Sequence, residues 1–392
     1  MSDSHTTAIA NVAHSLLMTG IECAMFTLLL SSCQPGLAVR ENARDAAENA
    51  LPISFSIVCV IHGDGDYLVH DAEGKEYLAD ESALERAKAI AERNPSAEVF
   101  IFHQKPRTHF LIFFPRHDGD FYYYRNGRLM ATESYWRDQQ SSLYDPEVAL
   151  YDRFRSPGHS AFARVFLYCG HEIPETGGRG YDASYPERSF TVREFSGGIR
   201  RFAGPAARFD LLVLSTCFGG TPYTIDTLGS CARYIVASPD NLHLSYFDLR
   251  GLERLDLKVQ EGTMPAFALG FAKQAFDRLV AEVQTAVSVA VYDVDSAAEY
   301  THAVRDTYAR SLRALADVPP TTAKAVEHCD CAELPGYALA TMKKGVEIFY
   351  RPPLFGRARG KQDHSGWECW NTPARQGISF RTGEQAADHP VR

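Results

Sequence analysis

Short apolar runs alternate with amphipathic, helix-like segments over most of the chain after residue 52. The apolar runs are rich in β-branched and aromatic residues, as buried strands are. Strands separated by helices are parallel, because a parallel connection needs a crossover. We therefore predict an α/β fold with a doubly wound, mostly parallel sheet and helices on both faces. The predicted strands are 53–61, 99–103, 164–171, 211–214, 233–238, 287–292 and 346–350, and the predicted helices are 82–93, 148–154, 191–202, 224–228, 266–285 and 296–315.

Two regions depart from this alternation. The runs at 110–114 and 121–124 flank a polar turn, which predicts a hairpin between them. Asn126-Gly127 is a second turn of the hairpin type. Residues 172–189 are polar and rich in Gly and Pro. They are predicted to form a surface loop of the kind that carries function.

The composition is that of a globular protein with a sizeable core, since 45% of the 392 residues are hydrophobic and 23% are charged. The net charge of −9 provides no electrostatic footprint for nucleic acid. Nine cysteines scattered over the chain do not form a disulfide framework of the small secreted type.

The N-terminal segment predicts export. Residues 13–32 are mostly apolar and lead into Leu30-Ser-Ser-Cys33, which resembles the lipobox of bacterial lipoproteins. We predict a signal peptide at 1–33, a polar spacer at 34–50, membrane attachment through lipidated Cys33, and a periplasmic or cell-surface location. Signal peptides start with a positive n-region, yet the first basic residue is Arg40. The alternative is a short core helix in a cytoplasmic protein, and Glu22 opposes a transmembrane anchor.

Two consecutive predicted strands each lead to a chemically active side chain. His171 ends the first, and Cys217 lies just beyond the second, before Gly219 and Gly220. A right-handed crossover places such strands side by side, so we expect the imidazole and the thiol near each other. A thiolate with a histidine that takes and returns its proton is the minimum for acyl transfer. The glycines would leave N–H groups for an oxyanion, whereas an ordinary buried thiol is the alternative.

The order strand, histidine, helix, strand, cysteine resembles the caspase-like fold of caspases, legumains, gingipains and clostripain. The segment Cys217-Phe-Gly-Gly, with Tyr223-Thr-Ile-Asp-Thr-Leu and Arg233-Tyr-Ile-Val-Ala-Ser, is similar to the clostripain family after its nucleophile. Thr285-Ala-Val-Ser-Val-Ala-Val-Tyr-Asp is similar to a later strand of that family. The resemblance covers roughly residues 160–312. It implies a bacterial cysteine endopeptidase with a catalytic domain at 51–256 and a C-terminal α/β extension at 257–392 packed on it.

The resemblance implies that His171 is the base and acid and that Cys217 is the nucleophile. The flanking residues Gly170, Glu172, Ser215 and Thr216 are the predicted oxyanion or substrate-binding residues. The family follows its histidine with Gly, which is Glu172 here, although any residue except Pro can donate that N–H. The family also places Asp two residues before the cysteine, where this chain has Ser215. A preference for cleavage after Arg or Lys is therefore not predicted.

Other site assignments stay open. His62, followed by Gly63, competes with His171 as the base but lies much earlier in the chain. Asp64 and Asp66 could contribute to a calcium site, although calcium takes six to eight oxygens. Near the C-terminus, a group of histidines and cysteines could form a zinc site or a disulfide, although it lacks the usual spacing of zinc ligands. Its members are His328, Cys329, Cys331, His364 and Cys369. We predict no cofactor.

The function predicted from the sequence is that of a cysteine endopeptidase, which cleaves peptide or protein substrates through a thioester acyl-enzyme. One alternative is a catalytically inactive caspase-like protein that binds ligands at the cell surface or in the periplasm, motivated by Glu172 and Ser215. Another is an amidase or acyl transferase with the same two residues. The oligomeric state is not predicted.

Overall fold

The computed structural model describes residues 52–356, apart from 64–67, 71–75, 111–112, 138–142, 157–160, 162, 176–181, 183–184, 186–190, 205–206, 243–245, 261 and 303–343. Several predictions fall outside the described residues and stay predictions: the signal peptide and spacer, lipidation of Cys33, the calcium turn at Asp64 and Asp66, and the metal or disulfide group at His328, Cys329, Cys331, His364 and Cys369.

The described strands and helices alternate largely as predicted. The strands are β1 (Phe55–His62), β2 (Leu68–His70), β3 (Glu76–Leu78), β4 (Ala97–Gln104), β5 (His109–Phe110), β6 (Phe114–Pro115), β7 (Gly119–Arg125), β8 (Arg128–Tyr135), β9 (Ala163–Cys169), β10 (Phe209–Ser215), β11 (Ala232–Ala237), β12 (Val287–Asp293) and β13 (Val346–Arg351). The helices are α1 (Ala79–Glu92), α2 (Asp145–Phe154), α3 (Val192–Ala203), α4 (Pro222–Leu228), α5 (Leu255–Lys258) and α6 (Met264–Glu282), with a 3₁₀ turn at Leu249–Leu252. A further helix starts at 294 and is described as far as 302.

Nine of the described strands form one sheet in the order β13-β12-β11-β10-β9-β1-β4-β7-β8. The five central strands, β11 to β4 in that order, are parallel. The outer pairs are antiparallel. β12 and β13, from the predicted C-terminal extension, continue the same sheet. The central strands all end at one edge, which we call the carboxyl edge.

Apolar side chains cover both faces of the sheet. One face packs against α2, α3 and α4, through residues such as Phe195 and Phe202. The other packs against α1 and α6, through residues such as Ile90 and Phe271. β9 and β10 are buried on both sides, which explains why their sequences are continuous apolar runs. The predicted doubly wound α/β sheet with helices on both faces is therefore confirmed.

Local signals explain where α3 begins. Thr191 is its N-cap, and the side chain of Thr191 accepts a hydrogen bond from Glu194 N while Glu194 Oε2 accepts one from Thr191 N. This reciprocal capping box satisfies two backbone donors that a helix start leaves unpaired. The predicted start of α1 at Ser82 is wrong, because the helix begins at Ala79 without a side-chain cap.

The predicted hairpin between 110–114 and 121–124 is also wrong. β5 and β6 pair with each other, whereas β7 pairs with β4 and β8. The Asn126-Gly127 turn is confirmed, since it joins β7 to β8 with φ of 52° and 73° at the two residues.

In the part of the chain that the structure describes, none of the helices has the length and apolar character that a bilayer crossing requires.

Candidate active site

The sheet places the two predicted catalytic residues at matching positions. β9 and β10 are adjacent and parallel, and Cys169 pairs with Ser215. His171 and Cys217 each follow two residues after that pair. Both residues therefore leave the sheet at the carboxyl edge, from neighbouring strands. This is the edge at which open α/β sheets hold their ligands.

Cys217 lies on a short turn that joins β10 to α4. The next residue, Phe218, has a φ of 51°, which is uncommon for a residue other than glycine. A Cβ added to Gly220 would lie 2.5 Å from Tyr292 Oη, and that hydroxyl donates to Gly220 O at 2.7 Å. Glycine is therefore required at position 220, and β12 holds the turn in place through Tyr292.

The thiol of Cys217 contacts the loop that follows β11. Its Sγ donates a hydrogen bond to Asn241 Oδ1 at 3.1 Å and accepts one from Leu242 N at 3.4 Å. β11 is parallel to β10, so three consecutive strands bring His171, Cys217 and Asn241 to one edge. Asn241 is not among the residues predicted from the sequence. The available signal was its place in the polar segment that follows a predicted strand.

Cys217 differs from the other cysteines that the structure describes. It is partly exposed, whereas Cys59, Cys169 and Cys231 are buried. Burial raises the pKa of Cys59 and Cys231 above the usual range and raises that of Cys169 to about 12. Those three thiols are neutral near pH 8 and shielded from solvent, so Cys217 is the described thiol best suited to react.

The path of the chain into His171 depends on Gly170. A Cβ at position 170 would lie 2.7 Å from Tyr168 Oη and 2.9 Å from His62 Cβ. Tyr168 Oη also donates to His171 O at 3.4 Å. His171 and Glu172 themselves are half-buried. The chain can pass this closely over the end of β1 because residue 170 has no side chain.

Several backbone N–H groups around the two residues already have acceptors. Gly220 N donates to Ser238 O at 2.8 Å, and Phe218 N donates to Asp240 O at 3.2 Å. Gly170 N lies 3.4 Å from Ser215 O. The N–H of Gly220 is therefore not available to an oxyanion, contrary to the expectation from the sequence.

Two of the predicted substrate-binding residues are buried. Ser215 has no exposed surface and Thr216 has 2%. Ser215 Oγ accepts a hydrogen bond from Phe247 N at 2.9 Å. A substrate side chain would have to displace that contact to reach Ser215.

His62 belongs to a buried hydrogen-bond network at the end of β1. Gln104 Nε2 donates to Glu147 Oε1 at 2.7 Å, so Gln104 Oε1 is left to accept from His62 Nδ1 at 3.0 Å. Tyr135 Oη also donates to Glu147 Oε1, at 2.9 Å. His62 therefore carries its proton on Nδ1. The strand of His62, β1, is separated from β10 by β9. His171 follows β9, which is adjacent to β10, so its strand is closer to that of Cys217.

Two anchors hold the loop that follows His171. Near the start of the loop, buried Glu175 accepts a hydrogen bond from Thr221 Oγ1, at the N-cap of α4. Further along, Asp182 forms an ion pair with buried Arg137. These contacts tie the loop both to the turn after Cys217 and to the end of β8. Glu175 is not among the residues predicted from the sequence.

The described residues contain no group of three or more His, Cys, Asp or Glu side chains that is arranged to hold a metal ion. The chemistry that this edge offers comes from a thiol, an imidazole and the amide of Asn241. This set suits nucleophilic acyl transfer.

Comparisons with known proteins identify similar solved structures. No protein-family model and no curated protein matches the chain. An inactive zymogen C11 protease from Parabacteroides distasonis is similar at 14% identity and a TM-score of 0.45, covering 67% of this chain and 66% of that one. A secreted C11 cysteine protease from Bacteroides thetaiotaomicron, in complex with an irreversible peptide inhibitor, is similar at 12% identity and a TM-score of 0.44, covering 67% and 70%. C11 is the clostripain-like family. Similarity at this level assigns no role to any residue.

Proposed function

We propose that this chain is a cysteine endopeptidase in which Cys217 is the nucleophile and His171 is the general base and acid. The observation that carries the proposal is the matched placement of the two residues, each two positions beyond a register pair of adjacent parallel strands. Partial exposure of Cys217 supports it, because a nucleophile must meet its substrate. The half-buried position of His171 is compatible with proton transfer to and from the same edge.

The proposed reaction has two steps. His171 takes the Cys217 proton, the sulfur attacks the carbonyl carbon of a peptide bond, and the C–N bond breaks as His171 protonates the amine that leaves. Water then attacks the carbonyl carbon of the resulting thioester while His171 takes the water proton; the C–S bond breaks, the carboxylic acid product leaves, and His171 returns the proton to the sulfur. Glu172 N stays the proposed oxyanion donor.

The first step requires the Cys217 thiol to change its hydrogen-bond partner. Cys217 Sγ donates a hydrogen bond to Asn241 Oδ1, so this hydrogen bond must be exchanged for one to His171 when a substrate binds. Leu242 N, which donates to the same sulfur, would stabilise the thiolate that forms. Asn241 is thus a positioning residue that holds the thiol before the reaction.

The test uses a peptide that carries an acyloxymethyl ketone, which alkylates a catalytic thiolate. We expect Cys217→Ala to abolish labelling of the protein and cleavage of a peptide library. Cys231→Ala is the matched control, because it removes a buried thiol; it should keep both. Undiminished labelling of the Cys217 variant would overturn the proposal.

The choice of base is tested with two histidine variants. His171→Ala should lower cleavage by about a hundredfold or more, as loss of a general base does. His62→Gln, which replaces a buried partner of Gln104, should lower stability more than cleavage measured on the folded fraction. Loss of cleavage in the His62 variant, with cleavage kept in the His171 variant, would assign the base to His62.

Cleavage of amides or esters without cleavage of peptides would instead favour an amidase or acyl transferase.

A second candidate function is that of an inactive caspase-like protein that binds peptides without cleaving them. It is favoured by the contacts of the Cys217 thiol with Asn241 and Leu242, which hold the sulfur in place. This candidate predicts saturable peptide binding that Cys217→Ala leaves intact, with no products by mass spectrometry. Cleavage products that depend on Cys217 would exclude it.

A further inference from the structure

A small hairpin projects from the carboxyl edge between β4 and β7. Its two strands, β5 and β6, pair only with each other among the described strands, and Arg116 N donates to Thr108 O at 2.9 Å. We call residues 105–110 and 113–117, the part of this segment that the structure describes, the aromatic hairpin. From 107 to 117, every residue whose burial is described is exposed.

The aromatic hairpin exposes large apolar side chains. Phe113 is 80% exposed and Phe114 is 59% exposed. They belong to the run Phe110-Leu-Ile-Phe-Phe-Pro115, six consecutive apolar residues. Trp136, 45% exposed at the end of β8, lies beside His117 at the base of the hairpin, with ring centroids 4.5 Å apart. Large apolar side chains that are exposed and grouped in this way mark an interaction site.

Basic residues flank the apolar run on both sides. Residues 105–117 contain Lys105, Arg107 and Arg116, with two histidines and no acidic residue. The neighbouring acids, Asp118 and Asp120, contact Arg107 and Lys105 at the base of the hairpin. The stretch 107–117 thus carries two arginines and no acidic residue, and Asp118, which contacts Arg107, is buried.

This combination of charge and apolar surface favours one type of partner. Aromatic side chains prefer the headgroup level of a bilayer, and nearby cations are attracted to anionic lipids. A second copy of the chain is disfavoured, because pairing two of these hairpins would bring like charges together. We propose that the aromatic hairpin docks on an anionic phospholipid surface and inserts Phe113, Phe114 and Trp136 into the interface.

Docking would orient the rest of the molecule. The aromatic hairpin leaves the sheet where β4 ends, and β4 is three strand positions from β10, or about 14 Å. Trp136 follows β8, which runs parallel to β4. The edge that carries Cys217 and His171 would therefore face the membrane. The proposal does not depend on the catalytic one, since it rests on different residues.

The test is flotation with vesicles of phosphatidylcholine alone or with phosphatidylglycerol. The protein is the full chain with Cys33→Ser, which removes the predicted lipidation site, expressed in the cytoplasm. We expect binding to the anionic vesicles that decreases with added salt. The double variant Phe113→Ser and Phe114→Ser should lose about tenfold or more of that binding, since it scales with buried apolar area.

The matched control is Phe355→Ser, because Phe355 is 66% exposed and follows β13, at the other end of the sheet. This variant should bind like the parent chain. Tryptophan fluorescence should shift to the blue on binding, and Trp136→Phe should remove most of that shift. No binding to anionic vesicles, or equal binding by the double variant, would overturn the proposal. A change from dimer to monomer in the double variant, without vesicle binding, would assign the hairpin to self-association instead.

Discussion

Asn241 shows how one residue in a loop positions a thiol on a neighbouring strand. Its amide oxygen accepts a hydrogen bond from the Cys217 thiol at 3.1 Å, and it reaches that position because β11 ends beside β10. A hydrogen bond of this type contributes about 1 kcal/mol. The thiol is therefore restrained by a neighbouring strand as well as by its own turn.

Asn241→Ala should increase the rate at which iodoacetamide alkylates Cys217. Loss of about 1 kcal/mol of restraint corresponds to an increase of about fivefold. The rate is measured at pH 8 by mass spectrometry of the peptide that contains Cys217. Gln274→Ala is the control, since its amide contacts Asp248 instead. An unchanged rate in the Asn241 variant would show that the hydrogen bond does not restrain the thiol.

The turn from β10 to α4 is the element on which the candidate site depends. Gly220 lies against both Tyr292 Oη and Pro239 N, at 2.5 Å and 2.9 Å from where its Cβ would be. A side chain there must displace backbone as well as a buried hydroxyl. Gly197, inside α3, is the opposite case, because no atom lies within 4 Å of its added Cβ.

We therefore expect opposite effects from the same substitution at these two positions. Gly220→Ala should lower the free energy of unfolding by about 1–3 kcal/mol, as overpacking does. Gly197→Ala should raise it by about 0.5–1 kcal/mol, because alanine favours the helix. Urea unfolding followed by circular dichroism measures both. Equal effects would mean that the close contact at position 220 relaxes without cost.

Strands could be predicted from the sequence where apolar residues decide the structure locally. β9 and β10 are continuous apolar runs, and their positions at the carboxyl edge followed from the rules of parallel crossovers. The partner of β7 could not be predicted, because pairing with β4 is decided by distant residues. Asn241 and Glu175 were missed for a similar reason. Loop residues have no periodicity, and their contacts depend on which strand ends lie together.

At the scale of the whole molecule, buried ionisable groups on β1, β8 and β9 link stability to pH. Burial raises the pKa of Cys59 above its usual range and that of Cys169 to about 12. Burial, followed by the charge of Glu147, raises the pKa of Tyr135 well above its usual range. Each group keeps its proton in the folded protein at a pH where the unfolded chain loses it.

The free energy of unfolding should thus decrease as the pH rises above about 9, since the unfolded state then binds fewer protons. Each thiol contributes a slope of about −1.4 kcal/mol per pH unit, and Tyr135 adds to it above about pH 10. Urea unfolding between pH 7 and pH 11 measures the slope. Cys169→Ala should make the slope less negative by about 1.4 kcal/mol per pH unit, which is the contribution of one thiol. Ile61→Val, a control at the paired position on β1, should lower stability with no change in slope. A free energy of unfolding that stays constant between pH 7 and pH 11 would contradict the raised pKa values of these groups.

The strand order also has a consequence for synthesis on the ribosome. β1 is the first of the described strands of the sheet along the chain, yet it lies between β4 and β9. About 100 residues separate the end of β1 from the start of β9, which corresponds to about 5–20 s of translation. During that interval, the edge of β1 that later pairs with β9 has unpaired N–H and C=O groups. An unpaired strand edge of this kind is open to association with another chain, so the order of synthesis exposes this sheet to aggregation until β9 emerges.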